Sequence, residues 1–210
     1  MGRPMLVRQI DRISKAETIT SLILATSSDP TDDPLEEFAE SQKIPLYRGS
    51  LDNVFSRFRE ISGNSSASCY VRLTGDCPLA DPVVIDKVVQ EHLDSGADYT
   101  SNTMARTYPR GLDVEVFQSE ALAELEGSGL SQQELEHVTL GFHSRGDRFK
   151  LHNVSDSINN SRLRWTVDTE EDFAFVSWVY SNFVSQEASF TSNSVYSLLS
   201  RFPGKILLDN

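Results

Sequence analysis

The stretch Cys69–Asp81, CYVRLTGDCPLAD, limits the possible folds of this chain more than any other. Cys69–Leu73 reads as a buried strand that runs into a tight turn containing Gly75 and Pro78. Glycine lets the backbone turn sharply, and proline cannot continue a strand's hydrogen bonding. A helix comes next, with Asp81 as N-cap and Pro82 in its first turn. Asp76 therefore lies just past the carboxyl end of a strand, the edge at which open α/β sheets bind ligands. A carboxylate there suits magnesium, which takes one or two protein carboxylates and completes its shell with water and phosphate oxygens. The alternative is an Asp that only caps its own turn. The local residues leave both open.

The same strand–helix alternation extends through the first hundred residues. Pro4–Ile13 has an apolar face near period 3.6 and reads as a helix. Thr18–Thr26 is a continuous apolar run, expected as a fully buried strand. A turn-rich loop over Asp29–Pro34 leads to a helix through Glu40, a strand at Ile44–Tyr47 and a helix at Ser50–Ile61 capped by Ser50 or Asp52. Helix Pro82–Leu93 and strand Asp98–Ser101 complete a βαβ rhythm, which implies an α/β fold with a doubly wound sheet.

After Asn102 the rhythm changes. The expected elements are strand Leu112–Phe117, helices Ser119–Leu125 and Gln132–Phe142, strands Phe149–Val154 and Leu163–Val167, and helices Glu170–Phe183 and Ser194–Phe202. Residues 1–210 read as one domain, with 103–155 as an inserted lobe. Leu125, Leu130, Leu135, Leu140 and Phe142 lie on short segments of that lobe that can bury little among themselves, which predicts an interface. Trp165, Trp178, Phe173 and Phe175 are expected in core or interface.

Composition narrows the partners. A net charge of −12 argues against nucleic acid as the main partner, yet permits a nucleotide held by a local basic cluster and a metal. No apolar run approaches the roughly 20 residues that span a bilayer, so no membrane is expected. The first residues lack a signal-peptide core, and two cysteines make no disulfide scaffold, which together give a cytoplasmic expectation.

Several further residues could carry chemistry. Asp168 ends the strand-like RLRWTV and precedes an acidic helix start, where it could equally belong to the cap. Arg72 is unusual in an apolar strand and needs an anionic partner, either a structural carboxylate or a bound phosphate. Arg106, Arg110 and Asp113 belong to the loop RTYPRGLDVEVF, whose arginines flank a turn containing Gly111 and suit a carboxylate or phosphate; the alternative is a solvated loop. Glu136 and His137 sit early on a helix, where an isolated His more often packs than reacts. His92, His143 and His152 share no metal-ligand spacing.

LTGDCPLADP resembles the signature of nucleotidyltransferases that make CMP-sugars, and specifically the spore coat polysaccharide biosynthesis protein F family, related to CMP-Kdo and CMP-sialic acid synthetases. ATSSDPTDDPL, IPLYRGSLDNVFSRF, SGADYTSNTMARTYPRGLDVEVF, LEHVT and RLRWTVDTEEDF agree in order and span most of Ala25–Phe173. The resemblance implies a Rossmann-like, three-layer α/β/α nucleotide-diphospho-sugar transferase fold with a mixed, mostly parallel sheet. It implies transfer of CMP from CTP to an acidic, nonulosonic-type sugar, with Mg2+ held by Asp76 and Asp168. Arg72, Arg106, Arg110, Gly111, Asp113, Glu136 and His137 become expected substrate contacts, and a homodimer is expected through the lobe. Relatives begin with a strand and a loop of the type ARxGSxRLPGK; this chain starts with GRPMLVRQIDRI, which is similar to the segment just after that loop. The resemblance thus implies a missing first strand, a gap in the sheet and a weakened hold on the triphosphate. The C-terminal SRFPGKILLDN resembles the end of that loop, so a permuted arrangement is the competing expectation. A homologue that only binds a partner, or a different nucleotide-sugar transferase on the same fold, is the alternative function.

Overall fold

The computed structural model describes residues 2–209. Helix α1 (Met5–Ile13) is followed by β1 (Leu24–Ser27), α2 (Asp33–Gln42), β2 (Leu46–Gly49), α3 (Val54–Gly63), β3 (Cys69–Arg72), α4 (Pro82–Ser95) and β4 (Tyr99–Ser101). Then come β5 (Glu115–Gln118), three short helices α5 (Ser119–Glu126), α6 (Gln132–Glu136) and α7 (Leu140–His143), β6 (Leu151–Asn153), α8 (Glu170–Asn182) and α9 (Ser192–Arg201).

The best-specified helices are those whose ends are encoded locally. In α4 the Asp81 carboxylate accepts the Val83 N–H at 3.0 Å, Pro82 opens the helix, and Gly96 closes it at φ 60°. Its Val84, Ile85, Val88, Val89 and His92 form the buried stripe. Thr169 and Asp172 form a reciprocal capping box at the start of α8, which buries Phe175, Val176, Val179 and Tyr180.

The strands form two ladders. β1 pairs with β2 in parallel, and a second, mixed sheet has the order β3-β5-β4-β6, with β5 antiparallel to both neighbours and β6 parallel to β4. Among the described residues no ladder joins the two, so the sheet is interrupted between them. The interruption also explains a departure at β3, where all four residues are half-buried instead of buried, because β5 pairs with one edge alone. Layering follows the two-residue strand period: Val116 of β5 enters a core built with α4, α8 and α9, while Phe117 enters a second core with Tyr99, Leu122, Leu125 and Phe142.

Four expectations are corrected. Thr18–Thr26 is not one strand: Thr20, Ser21 and Ile23 are exposed and pairing starts at Leu24. The backbone N–H groups of Glu17 and Thr18 instead donate to the Asp86 carboxylate, which steers that segment along α4. The expected helix Gln132–Phe142 breaks between α6 and α7, where buried Val138 adopts φ 49°. Leu163–Val167 joins no ladder and makes single bridges on both sides, Arg110 with Arg164 and Leu163 with Leu208. Finally, Leu125 and Phe142 are fully buried and Leu130 and Leu135 pack on the same cluster, which leaves Leu140 as the exposed member of the group expected at an interface. The short segments bury these side chains against β4, β5 and α3, not among themselves. Trp165 and Phe175 are buried, Trp178 is half-buried and Phe173 is exposed. No helix among the described residues is long and apolar enough to cross a membrane.

Candidate active site

Three segments far apart in sequence are zipped together at one edge of the fold. The Arg110 N–H donates to Leu163 C=O at 3.0 Å, the Trp165 N–H to Arg110 C=O at 2.7 Å, and the Val167 N–H to Asp76 C=O at 2.9 Å. Gly111 makes this possible. It adopts φ +104°, and a Cβ there would stand 2.6 Å from the Thr166 nitrogen and the Trp165 carbonyl carbon. Only glycine tolerates both that backbone and that approach.

The zipper gathers Thr74, Asp76, Cys77, Arg110, Gly111, Asp113, Thr166 and Asp168 around a cavity of about 210 Å³. A second cavity of about 250 Å³ shares Thr74 and Asp113 with it, and adds Arg72, Thr103, Arg106, Glu115, His137, Thr139, Leu140 and His143. The two are therefore adjacent. Of the nine residues expected from sequence, eight line one or both cavities; Glu136 is exposed at the end of α6 and lines neither.

The carboxylates of the first cavity differ in their partners. Asp113 is held by both terminal nitrogens of Arg106, at 2.5 and 2.8 Å. Asp168 accepts from Arg164 at 2.5 Å, and its backbone N–H donates to Asp172. The cap of α8 thus belongs to Thr169 and Asp172 and leaves the Asp168 carboxylate more than half exposed. Asp76 has no basic partner among the described residues. Burial alone would raise its pKa, but hydrogen bonds from the Thr74 and Thr166 hydroxyls, the latter at 2.9 Å, outweigh burial and hold it below the ordinary carboxylate value. An ionised, half-buried carboxylate without a cation is costly unless a cation joins it. Three carboxylates line this cavity; Asp113 is tied to Arg106 by both its oxygens, which leaves Asp76 and Asp168 as the hard oxygen donors, and no group of three or more His, Cys, Asp or Glu converges among the described residues. That donor set fits magnesium with phosphate and water completing the shell.

The second cavity joins Arg72, Arg106, Asp113 and His137 to residues that sequence inspection did not single out, Glu115 and Thr139 among them. Arg72 finds its partner in Glu115, its cross-strand neighbour in the β3/β5 register. Glu115 also accepts from the Tyr99 hydroxyl at 2.8 Å and from the Thr139 hydroxyl, and His143 Nε2 lies 3.2 Å from Tyr99 Oη. The anionic partner expected for Arg72 is thus a carboxylate of the protein, and Arg72 also lines the cavity. The left-handed turn at Val138 places His137 and Thr139 on the same wall. A β-branched residue rarely adopts that backbone, and such strain concentrates at functional sites. Glu115 could have been found from sequence, because it lies two residues after Asp113 and a strand returns every second side chain to one face.

A mixed sheet between helical layers, with carboxylates and arginines gathered at one edge over adjoining polar cavities, defines an α/β nucleotidyltransferase. The cytidylyltransferase family model matches residues 1–177, and the chain belongs to that family. It is 31% identical over 186 residues to the spore coat polysaccharide biosynthesis protein SpsF of Bacillus subtilis, a match covering 87% of this chain and 76% of that protein. The structure of a cytidylyltransferase from Leptospira borgpetersenii superposes with a TM-score of 0.92 at 25% identity, covering 98% of this chain and 87% of the other. A CMP:2-keto-3-deoxy-manno-octonic acid synthetase complexed with CTP shares the fold, with a TM-score of 0.62 at 16% identity over 87% and 89% of the two chains.

Proposed function

We propose that this cytidylyltransferase transfers CMP from CTP to an acidic sugar of the nonulosonic type, with pyrophosphate leaving. The observation that carries the reading is Asp76, an ionised carboxylate without a basic partner among the described residues, beside Asp168 in one cavity and next to a second polar cavity. Asp76 and Asp168 would hold magnesium, which when bound supplies charge neutralisation at the phosphates. The hydroxyls of Thr74 and Thr166 keep Asp76 ionised, and Arg164 sets the direction of the Asp168 carboxylate. The adjoining cavity, walled by the Arg72–Glu115 and Arg106–Asp113 pairs with His137 and His143, takes the acceptor sugar. Arg72 and Arg106 are each held by a carboxylate of the same wall, so this wall orients hydroxyl groups and leaves recognition of the sugar's acid group to Arg110, on the other side of Asp113, whose partner Asp209 comes from outside both cavities. The acidic acceptor named for the CTP-bound fold relative supports that substrate class.

Phosphorus NMR of the chain with Mg2+, CTP and a panel of acidic and neutral sugars tests the reading. The expected result is a CMP diester signal with free pyrophosphate, for CTP and an acidic acceptor. Consumption of another nucleotide in preference to CTP, or transfer to neutral sugars alone, would refute it.

A further inference from the structure

Arg110 is the one basic residue lining the Asp76–Asp168 cavity among the described residues, and it is neutralised by the far end of the chain. The Asp209 carboxylate lies 3.0 Å from Arg110 Nε and 3.5 Å from Arg164 Nη1. Arg164 meanwhile binds Asp172 at 2.9 Å and Asp168 at 2.5 Å, so Asp209 completes a row of carboxylates around two guanidinium groups. The segment that delivers Asp209 is lightly held. Two backbone bonds dock it, from the Arg164 N–H to Leu207 C=O at 3.0 Å and from the Asp209 N–H to Arg162 C=O at 2.8 Å. Leu207 packs on the core, but Phe202, Ile206 and Leu208 are exposed. A strap with few buried contacts opens at low cost.

We infer that Arg110 and Arg164 form a carboxylate subsite which Asp209 occupies in the free chain and surrenders to the acid group of the substrate. The inference rests on the acidic-sugar reading of the same site and adds its recognition element and a built-in competitor. A guanidinium accepts one carboxylate in place of another with its planar hydrogen-bonding geometry unchanged. The exchange therefore needs only the 207–209 strap to move, and Asp168 and Asp172 keep their own bonds to Arg164. Arg164 would bridge the subsite to Asp168, so that filling one registers at the other. A site closed by its own tail for most of the time binds its ligand more weakly by the open fraction. If the strap is closed about four-fifths of the time, its release tightens binding about fivefold.

The test uses the full chain, wild type and Asp209→Asn, titrated calorimetrically with 3-deoxy-manno-octulosonate, with its uncharged methyl ester and with CTP–Mg2+. Asp209→Asn keeps the shape of the strap and removes its charge. The expected result is about fivefold tighter binding of the acid by the variant and no change for the ester. The gain should vanish when Arg110→Gln is added, a coupling that a purely structural role would not produce. Amide exchange at Arg164 and Asp209 of the wild type, the two donors that dock the strap, should quicken when the acid saturates. Equal affinity of the two proteins for the acid, no detectable acid binding by either, or a gain confined to CTP would each overturn the carboxylate subsite. A failure of CMP transfer with the carboxylate competition intact would instead overturn the transferase reading and leave the subsite standing.

Discussion

Replacing Gly111 by Ala should unfasten the site from within. The added Cβ would stand 2.6 Å from two backbone atoms of the Trp165–Thr166 peptide and 2.9 Å from the Trp165 carbonyl oxygen. Backbone atoms inside a zipper cannot move aside as a side-chain tip can. The residue would also be held at φ +104°, where a non-glycine residue costs about 1–3 kcal/mol. Relieving the clash means separating residues 110–111 from 163–166. That sacrifices the two hydrogen bonds flanking Gly111, Arg110 N–H to Leu163 and Trp165 N–H to Arg110, each worth about 1 kcal/mol net. The sum is about 3–5 kcal/mol, a large part of the roughly 5–15 kcal/mol that stabilises a typical domain. With a urea dependence of about 2 kcal/mol per molar, the midpoint should fall by about 1.5–2.5 M. Gly75→Ala is the control, because its added Cβ meets nothing within 4 Å, and it should change stability by less than about 0.5 kcal/mol. A Gly111→Ala midpoint within about 0.3 M of wild type would refute the close-approach reasoning, since that corresponds to no more than about 0.6 kcal/mol.

Two further perturbations address the polar groups. Glu115→Gln removes the charge that Arg72, Tyr99 and Thr139 converge on, and should cost about 2–4 kcal/mol because it strands a poorly solvated guanidinium; a urea midpoint equal to wild type would contradict this. Asp32 is held down to about 2 by hydrogen bonds from the Ser27 and Thr26 hydroxyls and the Ser27 N–H. Its folded pKa lies below its unfolded value of 3.8, so its contribution is present above that value and lost as pH falls from about 4 toward 2. Asp32→Asn should therefore flatten the acid side of the stability profile in that window, and an unchanged slope between pH 4 and 2 would count against the bond pattern.

Features encoded within a few residues were legible in the sequence. The cap of α4 by Asp81 and Pro82 and the placement of Asp76 beyond β3 stem from local chemistry. Arg110 and Gly111 were legible as a basic turn, but the reason for the glycine lies in Trp165 and Thr166, more than fifty positions away. Residues that act through distant partners stayed hidden for the same reason. The strand period could place Glu115 on the face of Asp113, but its partner shows only when β3 brings Arg72 opposite it, and the role of Asp209 shows only where it meets Arg110. Apolar content misled twice. Thr18–Ile23 is apolar enough for a strand, yet Asp86 captures its first backbone donors; Leu125 and Phe142 lie on short helices but find their core on β4 and β5.

The central claim is that Asp76 and Asp168 present a cation to the phosphates of CTP, and metal-dependent nucleotide binding tests it most directly. CTP should be titrated into wild type, Asp76→Asn and Asp168→Asn, each with Mg2+ and with chelator. Losing one charged contact is worth about 1.5–3 kcal/mol, or roughly 10–100-fold in affinity. The account predicts that chelation weakens wild-type binding by that factor, and that Asp76→Asn in Mg2+ binds as weakly as wild type without it. Binding of CTP by wild type that ignores Mg2+, or an Asp76→Asn variant that keeps the full magnesium effect, would contradict it.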